Sequence, residues 1–403
     1  MKDLSLDAVV PLANKTPRQE LEDIAEYQGQ EEAFFVMDVG DLMDKYATWS
    51  EVFPNIKPYY AVKCNDSTIV LKTLAALGAN FDCASKGEIA RVLSLGVAPD
   101  RIIFANPVKQ QTHIKFAAKV GVDLMTFDNA PELYKIKEYN PSAKLVLRLV
   151  ADSNDSQCMA MGLKFGARPN EATSLLRQAI SLGLEIVGVS FHVGSGNRDL
   201  TAYSRALSNC RNFYNMCLEQ GVQLSMVDIG GGFTCEDFDK VSASVLSSIE
   251  EYFPPSTGVR FIAEPGRFMV ASAYTLATRV HSMRVDRDRP MYYINDGVYS
   301  SFNCLLYDHA SVTPIPLKGA DGPLYKSSIW GPTCDSLDQV AEDCLLPMLK
   351  VNDWLVFEGM GAYTLAAASN FNGFPATAVH HVAPIEKWAQ LKKMCPGCVS
   401  RDE

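Results

Sequence analysis

The sequence predicts an α/β protein with an N-terminal (β/α)8 barrel of the TIM type followed by a mainly β C-terminal domain. Between residues 34 and 280, short apolar runs rich in β-branched residues alternate with longer segments of helical period, and glycine often follows the helical segments. Continuous apolar strands separated by helices are typical of a parallel sheet buried on both faces. Eight such strands after a lead-in segment fit a closed barrel better than an open doubly wound sheet, which usually has fewer strands.

The predicted elements follow one another along the chain in a regular order. The strands are the lead-in FFVMDV (34–39) and then KPYYAVKC (57–64), NFDCAS (80–85), RIIFAN (101–106), LMTFDN (124–129), AKLVLRLV (143–150), IVGVSFHV (186–193), SMVDIGGG (225–232) and RFIAEP (260–265). The helical segments between them include TIVLKTLAALG, GEIARVLSLG, HIKFAAKVG and ATSLLRQAISLG. After about residue 280 the runs are strand-like and punctuated by Pro, Gly and Asn-Asp, as in MYYIND, PLYKSSIW and DWLVFEG. We therefore assign residues 30–280 to the barrel and 281–403 to the β domain, to which residues 1–29 are a candidate addition.

Composition and charge exclude several classes of protein. The 403 residues are 47% hydrophobic and 21% charged, which is the balance of a globular protein and excludes a disordered or fibrous chain. A net charge of -10 without a basic block argues against binding to nucleic acid or to an anionic membrane surface. No apolar run reaches the roughly 18 residues of a membrane span, and the N-terminus resembles neither a secretory signal nor a transit peptide. We therefore expect a cytoplasmic protein that acts on a small molecule.

The cysteines do not indicate a disulfide framework or a metal centre. There are 11 of them, an odd number, and we expect most to be free, buried thiols. Cys395 and Cys398 form a C-x-x-C pair near the tail, with His380 and His381 upstream. A zinc site needs a second pair and a thioredoxin-like site needs a βαβ context, and the sequence has neither. No metal site is predicted.

The candidate functional residues stand where barrel strands are predicted to end. In a (β/α)8 barrel the catalytic groups lie at the C-terminal ends of the strands, and a phosphate often binds after strands seven and eight. The polar and glycine residues at these ends are Lys63, His192, Ser195, Gly230–Gly232, Glu264 and Arg267.

Each of these residues has a chemical interpretation and a plainer one. An ammonium at the end of an apolar strand is partly desolvated, which lowers the pKa of Lys63 and makes the amine nucleophilic; alternatively the side chain extends into solvent. The backbone N–H groups of Gly230–Gly232 can converge on a phosphate, to which Arg267 adds two donors; alternatively the glycines only make a tight turn. The Glu264 carboxylate can accept a hydrogen bond from a nitrogen in the ring of a bound ligand; alternatively it forms an ion pair with a nearby arginine.

Taken together, these groups are what pyridoxal phosphate requires. The aldehyde of this cofactor needs an amine, its phosphate needs donors, and its pyridine nitrogen needs an acid that keeps it protonated so that the ring can accept electrons. His192, at a neighbouring strand end, is placed to lie against that ring.

Eight motifs carry a resemblance to a known family. In order, they are KPYYAVKCN, FDCASKGEI, FHVGSG, DIGGGF, AEPGRF, YDHA, WGPTCDSLD and GAYT. Over roughly residues 30 to 380 the chain resembles the eukaryotic-type ornithine decarboxylases, which are pyridoxal-phosphate enzymes with the alanine-racemase-like fold. The resemblance implies a cofactor-binding barrel, a C-terminal β domain and a head-to-tail homodimer with two active sites at its interface.

The resemblance also implies a role for each matching residue. Lys63 would bond covalently to the cofactor aldehyde, Glu264 would pair with the pyridinium nitrogen, and His192 would stack on the ring. The phosphate would be held by Ser195, Gly231, Gly232, Arg267 and Tyr363. Asp82 and Arg148 would stand near the Lys63 side of the cofactor.

The substrate end of the implied site lies in the β domain. Asp308, with Tyr307 beside it, would receive the distal ammonium of the substrate. Asp335 and Cys334 would come from the partner subunit, Asp335 sharing that ammonium and Cys334 protonating the substrate carbon. Lys164 and Asp338 resemble a pair that bridges subunits. From the residues alone, the two aspartates could equally form turns and Cys334 could be an inert thiol.

The implied function is decarboxylation of L-ornithine to putrescine, a step of polyamine biosynthesis. Two carboxylates at the substrate end argue against a diaminopimelate enzyme, whose substrate has a distal carboxylate. Lysine differs from ornithine by one methylene, worth only about 1–3 kcal/mol of discrimination, so a lysine/ornithine dual decarboxylase is one alternative. His309 supports ornithine, because relatives that use lysine well tend to carry a bulkier aromatic residue there.

A catalytically silent homologue that binds an antizyme and acts as a regulator is the other alternative. Such a protein is expected to have lost part of the cofactor set, which is complete here. Residues 108–140 match the region that contacts antizyme in vertebrate members, and they include Lys109, Lys115 and Lys119. An antizyme is therefore a candidate partner.

Overall fold

The computed structural model describes residues 8–27, 29–151, 162–197, 199–287, 289–319 and 322–394. Its strands are β1 Val9–Leu12, β2 Phe34–Asp38, β3 Ile56–Ala61, β4 Asn80–Cys83, β5 Ile102–Phe104, β6 Leu124–Phe127, β7 Lys144–Arg148, β8 Glu185–Ser190, β9 Met226–Asp228, β10 Arg260–Ala263, β11 Tyr274–Asp286, β12 Arg289–Ile294, β13 Ile315–Pro316, β14 Tyr325–Trp330, β15 Gln339–Leu346, β16 Trp354–Phe357 and β17 Ala378–Pro384. Its α-helices are α1 Pro17–Glu26, α2 Val39–Val52, α3 Thr68–Leu77, α4 Lys86–Ser94, α5 Gln111–Val120, α6 Ala130–Tyr139, α7 Pro169–Ser181, α8 Ala202–Glu219, α9 Phe238–Tyr252, α10 Arg267–Val270, α11 Cys304–Tyr307 and α12 Ile385–Met394. The Cys395/Cys398 pair lies outside the described residues.

Strands β3 to β10 form the predicted barrel. Each is parallel to its neighbours, and the pairing of β10 with β3 closes the ring. Side chains from six of the strands pack together in one buried hydrophobic cluster: Tyr59, Ile103, Val146, Val187, Met226 and Ile262. Strand β8 has glycine at position 188 because a Cβ there would lie 2.4 Å from the Met226 Cγ. The predicted (β/α)8 barrel is confirmed.

The other strands form a nine-stranded sheet, which confirms the mainly β C-terminal part. Its principal order is β1-β17-β2-β11-β12-β14-β15, and β16 pairs with β11 and β13. Strand β1 pairs in parallel with β17, so part of the N-terminal segment lies in this sheet. Strand β2, predicted as a lead-in to the barrel, instead lies between β17 and β11. The ring of Phe34 packs edge-on against Trp354 at 5.5 Å in the core of this sheet.

Local sequence signals explain where the barrel helices begin and end. Helix α4 begins after Ser85, whose hydroxyl accepts a hydrogen bond from the Glu88 N–H at 3.2 Å. Helix α6 begins after Asn129 in the same way, with the Glu132 N–H as donor at 3.0 Å. Helix α5 ends at Gly121, which has a φ of +80° that favours glycine. These capping residues mark where α4 and α6 begin and where α5 ends.

Contacts divide the chain into two compact units. The barrel unit comprises Lys45–Asp66 and Leu77–Phe268, and the sheet unit comprises the described parts of Met1–Asp44, Ser67–Ala76 and Met269–Glu403. The domain boundaries assigned from the sequence, 30–280 for the barrel and 281–403 for the β domain, remain predictions. Within the described ranges, no helix is both long and apolar enough to cross a membrane.

Candidate active site

The barrel unit brings Lys63 and Asp82 into direct contact. Lys63 lies in a one-turn 3-10 helix that follows β3, and Asp82 lies in the neighbouring strand β4, where it pairs with Ala61. The Lys63 Nζ is 2.5 Å from the Asp82 Oδ2. The Asp82 side chain is fully buried, whereas the Lys63 side chain is 39% exposed. The amine is therefore anchored by a buried carboxylate and is accessible to a ligand at the mouth of the barrel.

Two further carboxyl groups are buried near this ion pair. Glu264 follows β10, and its N–H donates to the Gly230 carbonyl at 2.7 Å. Asp228 ends the adjacent strand β9, where it pairs with Ile262. Burial raises the pKa of Glu264 well above its usual value, and the charges of Asp228 and Asp82 raise it further. Burial likewise raises the pKa of Asp228. A positive group bound here would offset the cost of ionising these carboxyls.

His192 and Arg148 complete the polar lining. Arg148 ends β7, and its guanidinium lies 5.3 Å from the centre of the Phe165 ring. The His192 Nδ1 accepts a hydrogen bond from the Gly194 N–H at 2.9 Å, so a neutral ring carries its proton on Nε2. Burial of the ring lowers the pKa of His192 well below its usual value, and the positive charges of Arg148 and Lys63 lower it further. The imidazole is therefore neutral near pH 7 and can pack on a positively charged aromatic ring.

The glycine triplet Gly230–Gly232 is packed so closely against its neighbours that a side chain at any of the three positions would clash. A Cβ at Gly230 would lie 2.2 Å from the Phe191 oxygen. At Gly231 it would lie 2.8 Å from the Glu264 oxygen and 2.9 Å from the His192 Nε2. Gly230 and Gly232 also have φ values of +64° and +114°, which favour glycine. The triplet therefore brings bare backbone to the edge of the cluster formed by His192 and Glu264.

Ser195 and Arg267 lie together in the same unit. The Arg267 Nε and Nη2 both donate to the Ser195 hydroxyl, at 3.2 and 3.1 Å. Arg267 starts the short helix α10 directly after Gly266, where a Cβ would lie 2.9 Å from the Cys64 Cβ. Because Cys64 follows Lys63, this close packing ties the turn that carries the arginine to the turn that carries the lysine.

These residues fit pyridoxal phosphate. The Asp82 Oδ1 is a buried acceptor without a hydrogen-bond partner in the described chain, and the buried carboxyl groups of Asp228 and Glu264 lie near it, so the cluster can balance the charge of a cationic ring. Lys63 offers an amine to the aldehyde, and the glycine triplet offers a surface narrow enough for a phosphate to approach the backbone. The predicted residues Lys63, Asp82, Arg148, His192, Ser195, Gly231, Gly232, Glu264 and Arg267 all belong to this unit.

The sheet unit carries the residues predicted for the substrate end. The Asp335 Oδ1 accepts a hydrogen bond from the Leu337 N–H at 3.0 Å, and its Oδ2 accepts one from the Tyr299 hydroxyl. Both bonds lower the pKa of Asp335, and the bond from the Leu337 N–H has the larger effect. The hydrogen bond to the Asp335 carboxylate in turn raises the pKa of Tyr299 to about 12. The Tyr299 ring stacks on Phe371 at 4.3 Å. Asp335 is therefore a fixed negative charge suited to an ammonium group.

The remaining predicted residues of this unit are more exposed or conformationally unusual. Cys334 is an exposed free thiol, and its N–H donates to the Asn372 Oδ1 at 3.1 Å. Tyr307 is 73% exposed, and Asp308 next to it is half-buried at the end of helix α11. Tyr363 has a φ of +55°, a region that few non-glycine residues adopt and that is often found at functional sites.

Asp338 has a role within its own chain. It is 1% exposed, its Oδ1 accepts from the Val298 N–H at 2.8 Å, and its Oδ2 accepts from the N–H and hydroxyl of Thr333. A Cβ at Gly331 would lie 2.2 Å from the Asp338 Oδ1, so glycine is needed there. Asp338 thus organises the loop that carries Cys334. Its pairing with Lys164 of a second copy stays a prediction.

Two further residues, Asp228 of the barrel unit and Tyr299 of the sheet unit, were not predicted. Asp228 lies in the DIGGGF motif, so its position two residues before the glycine triplet was a usable signal. Tyr299 is 36 residues before Asp335, and nothing in the local sequence connects the two. Metal binding has no support in the described ranges, where no group of three or more His, Cys, Asp or Glu side chains could hold an ion.

Comparison with known proteins places the chain among relatives of defined chemistry. Residues 39–271, more than half of the chain, match the family described as "Pyridoxal-dependent decarboxylase, pyridoxal binding domain". The chain is 48% identical over 391 residues to antizyme inhibitor 2 of Xenopus laevis, covering 92% of this chain and 86% of that protein. It is 46% identical over 384 residues to ornithine decarboxylase of Rattus norvegicus, covering 90% of this chain and 83% of that protein.

Solved structures agree with this placement. The arginine decarboxylase of Paramecium bursaria Chlorella virus superposes with a TM-score of 0.87 at 36% identity, covering 90% of this chain and 100% of that one. The lysine/ornithine decarboxylase of Vibrio vulnificus in complex with putrescine superposes with a TM-score of 0.82 at 33% identity, covering 92% and 99%.

Proposed function

Because this chain belongs to the pyridoxal-dependent decarboxylases, we propose that it converts L-ornithine to putrescine and CO2. The observation that carries the proposal is the Lys63–Asp82 ion pair beside the buried Glu264. A catalytically silent homologue is under no constraint to keep an amine, its carboxylate partner and a buried acid together. The similarity to ornithine decarboxylases over most of the chain supports ornithine as the substrate.

The barrel residues prepare the cofactor site in this proposal. When bound, pyridoxal phosphate supplies an electron sink that accepts the electron pair of the broken Cα–carboxyl bond. Glu264 holds a proton at the ring nitrogen, and the neutral His192 ring packs on the cofactor without adding positive charge. Asp82 orients the Lys63 Nζ, the amine that would hold the cofactor aldehyde. Ser195, Arg267, Tyr363 and the backbone of Gly231 and Gly232 hold the phosphate.

The sheet residues bind the substrate and complete the proton balance. After the loss of CO2, Cα must take up a proton in place of the carboxyl group. We assign that proton to the Cys334 thiol of a second copy; the resulting thiolate regains a proton from solvent. The carboxylate of Asp308, with Tyr307 beside it, and the carboxylate of Asp335 from the second copy receive the distal ammonium of ornithine.

The Tyr299→Phe substitution tests the role of Asp335. It removes the hydroxyl that bonds the Asp335 carboxylate and leaves the ring that stacks on Phe371. We expect KM for ornithine to rise about fivefold with little change in kcat, since one hydrogen bond that positions a binding group is lost. Tyr293→Phe, in the same unit, is the matched control and should leave KM unchanged. An unchanged KM in Tyr299→Phe would remove Asp335 from the substrate site.

Two alternatives remain as second candidates because specific relatives favour them. A dual lysine/ornithine activity is favoured by the Vibrio vulnificus enzyme, whose name gives both substrates. The ratio of kcat/KM for ornithine to that for lysine separates the two, and we expect the ratio to exceed about 10. A regulatory role is favoured by the 48% identity to an antizyme inhibitor. A protein with a covalently bound cofactor absorbs above about 400 nm, and a silent homologue does not.

The surface proposed for an antizyme must be revised at Lys109. The Lys109 side chain is fully buried, donates to the Thr126 carbonyl at 2.6 Å and pairs with Glu132 at 2.9 Å. Burial lowers the pKa of Lys109 to about 8. Lys109 therefore stabilises the barrel and cannot contact a partner protein. Lys115 and Lys119 are exposed on helix α5, and they remain in the proposal of an antizyme as a binding partner.

A mixture of two inactive variants tests the proposed homodimer. If each site takes Lys63 from one chain and Cys334 from the other, the Lys63→Ala and Cys334→Ala homodimers each have two damaged sites. Random subunit exchange in an equal mixture makes half of the dimers mixed, and each mixed dimer has one intact site. Putrescine formation should therefore recover to about a quarter of the wild-type rate. No recovery, with exchange confirmed by mass spectrometry of differently tagged chains, would mean that both residues act within one chain.

A further inference from the structure

Tyr203 is a buried tyrosine that contacts the glycine triplet. It lies near the start of helix α8 and is 2% exposed. Its hydroxyl donates a hydrogen bond to the Gly231 carbonyl oxygen at 2.9 Å. Its ring packs against two aromatic rings, those of Phe233 at 5.3 Å and Phe191 at 6.1 Å. The hydroxyl oxygen is also 2.9 Å from the point where a Cβ at Gly232 would lie.

The hydrogen bond fixes the peptide group between Gly231 and Gly232. This peptide is trans, and the C=O and N–H of a trans peptide point in opposite directions. A partner that holds the Gly231 carbonyl therefore also sets the direction of the Gly232 N–H. Glycine on both sides gives the peptide wide rotational freedom, so the local backbone does not choose this orientation by itself. In the part of the chain that the structure describes, the Gly232 N–H makes no hydrogen bond.

We infer that Tyr203 is a positioning residue for the cofactor phosphate, because its hydroxyl aims the Gly232 N–H at the phosphate through the Gly231–Gly232 peptide. Tyr203 acts through the backbone and touches neither the substrate nor the reacting atoms. The inference rests on the phosphate contacts proposed above, and it does not depend on which amino acid is decarboxylated. A donor that is already oriented loses no conformational freedom when the phosphate binds, and this raises affinity.

The experiment compares two ligands in two matched variants. Tyr203→Phe removes the hydroxyl and keeps the ring. Tyr214→Phe is the control, since Tyr214 is buried on the same helix and its hydroxyl donates to the Thr257 carbonyl, outside the triplet. The dissociation constants of pyridoxal phosphate and of pyridoxal, which has the same aldehyde but no phosphate, are measured by equilibrium dialysis and by absorbance above about 400 nm.

We expect Tyr203→Phe to weaken binding of pyridoxal phosphate about tenfold and to leave binding of pyridoxal unchanged. Tyr214→Phe should change neither constant. An equal loss for both ligands in Tyr203→Phe would mean a general effect on the barrel, and no loss for either would mean that the triplet is oriented without the hydroxyl; each result overturns the inference. If wild type binds pyridoxal phosphate but does not decarboxylate ornithine, the proposed substrate fails and the role of Tyr203 is still decided by these constants.

Discussion

The Lys63→Ala variant is expected to lose the covalently held cofactor and to decarboxylate ornithine at least about a thousandfold more slowly than wild type. Lys63 is the amine bonded to the buried Asp82, in the cluster that also contains Glu264 and His192. Removing it leaves the Asp82 carboxylate buried without its cation and leaves the aldehyde without this nucleophile. The absorbance above about 400 nm should disappear even when pyridoxal phosphate is present in excess.

Borohydride reduction locates the amine directly. Reduction of wild type followed by peptide mapping should place the pyridoxyl group on Lys63. Lys57→Ala is the matched control: Lys57 is an exposed lysine of β3, the strand that precedes Lys63, and its substitution should have no effect on absorbance or rate. A pyridoxyl group on any other lysine would show that the cluster around Asp82 is not the cofactor site.

The Cys334→Ala variant is expected to release CO2 but to lose most of its putrescine. Without the thiol, the proton would be added to the cofactor instead of to Cα. Hydrolysis by one water molecule would then release an aldehyde and pyridoxamine phosphate, so the enzyme would inactivate itself after few turnovers. The ratio of CO2 to putrescine, close to one in wild type, should rise about tenfold or more, since a positioned acid typically contributes at least 10²-fold.

Cys344→Ala serves as the control for this variant. Cys344 is a half-buried thiol of the same sheet unit, where burial raises the pKa to about 11, so it is a poor source of a thiolate. The ratio of CO2 to putrescine measured for the Cys344→Ala variant should stay at the wild-type value. If Cys334→Ala makes putrescine at the wild-type rate and ratio, Cys334 is not the acid.

The barrel residues could be predicted because position and chemistry coincide in the sequence. Lys63, Glu264 and the glycine triplet each follow an apolar strand, and the C-terminal ends of parallel strands meet at one mouth of a barrel. Strand β2 could not be assigned in this way, because a buried strand of the large sheet has the same apolar composition as a barrel strand. The fold class was predictable, but the partners of this one strand were not.

Long-range side-chain contacts account for what the sequence did not reveal. The hydroxyl of Tyr203 reaches Gly231 and that of Tyr299 reaches Asp335 only because separate elements meet in the folded chain. Lys109 carries a charge and lies in the loop between β5 and α5, and lysine side chains in such positions are usually exposed. Its burial against Glu132 depends on a neighbouring helix whose packing the local pattern does not report.

The most direct test of the account is the stoichiometry of the reaction with ornithine. Purified protein supplied with pyridoxal phosphate and carboxyl-labelled L-ornithine should release one CO2 for each putrescine formed, and should show neither product after the Lys63→Ala substitution. Lysine and arginine, tested at the same concentration, should give lower kcat/KM values than ornithine. A wild-type protein that binds pyridoxal phosphate and absorbs above about 400 nm, yet releases no CO2 from any of the three amino acids, would contradict the assignment.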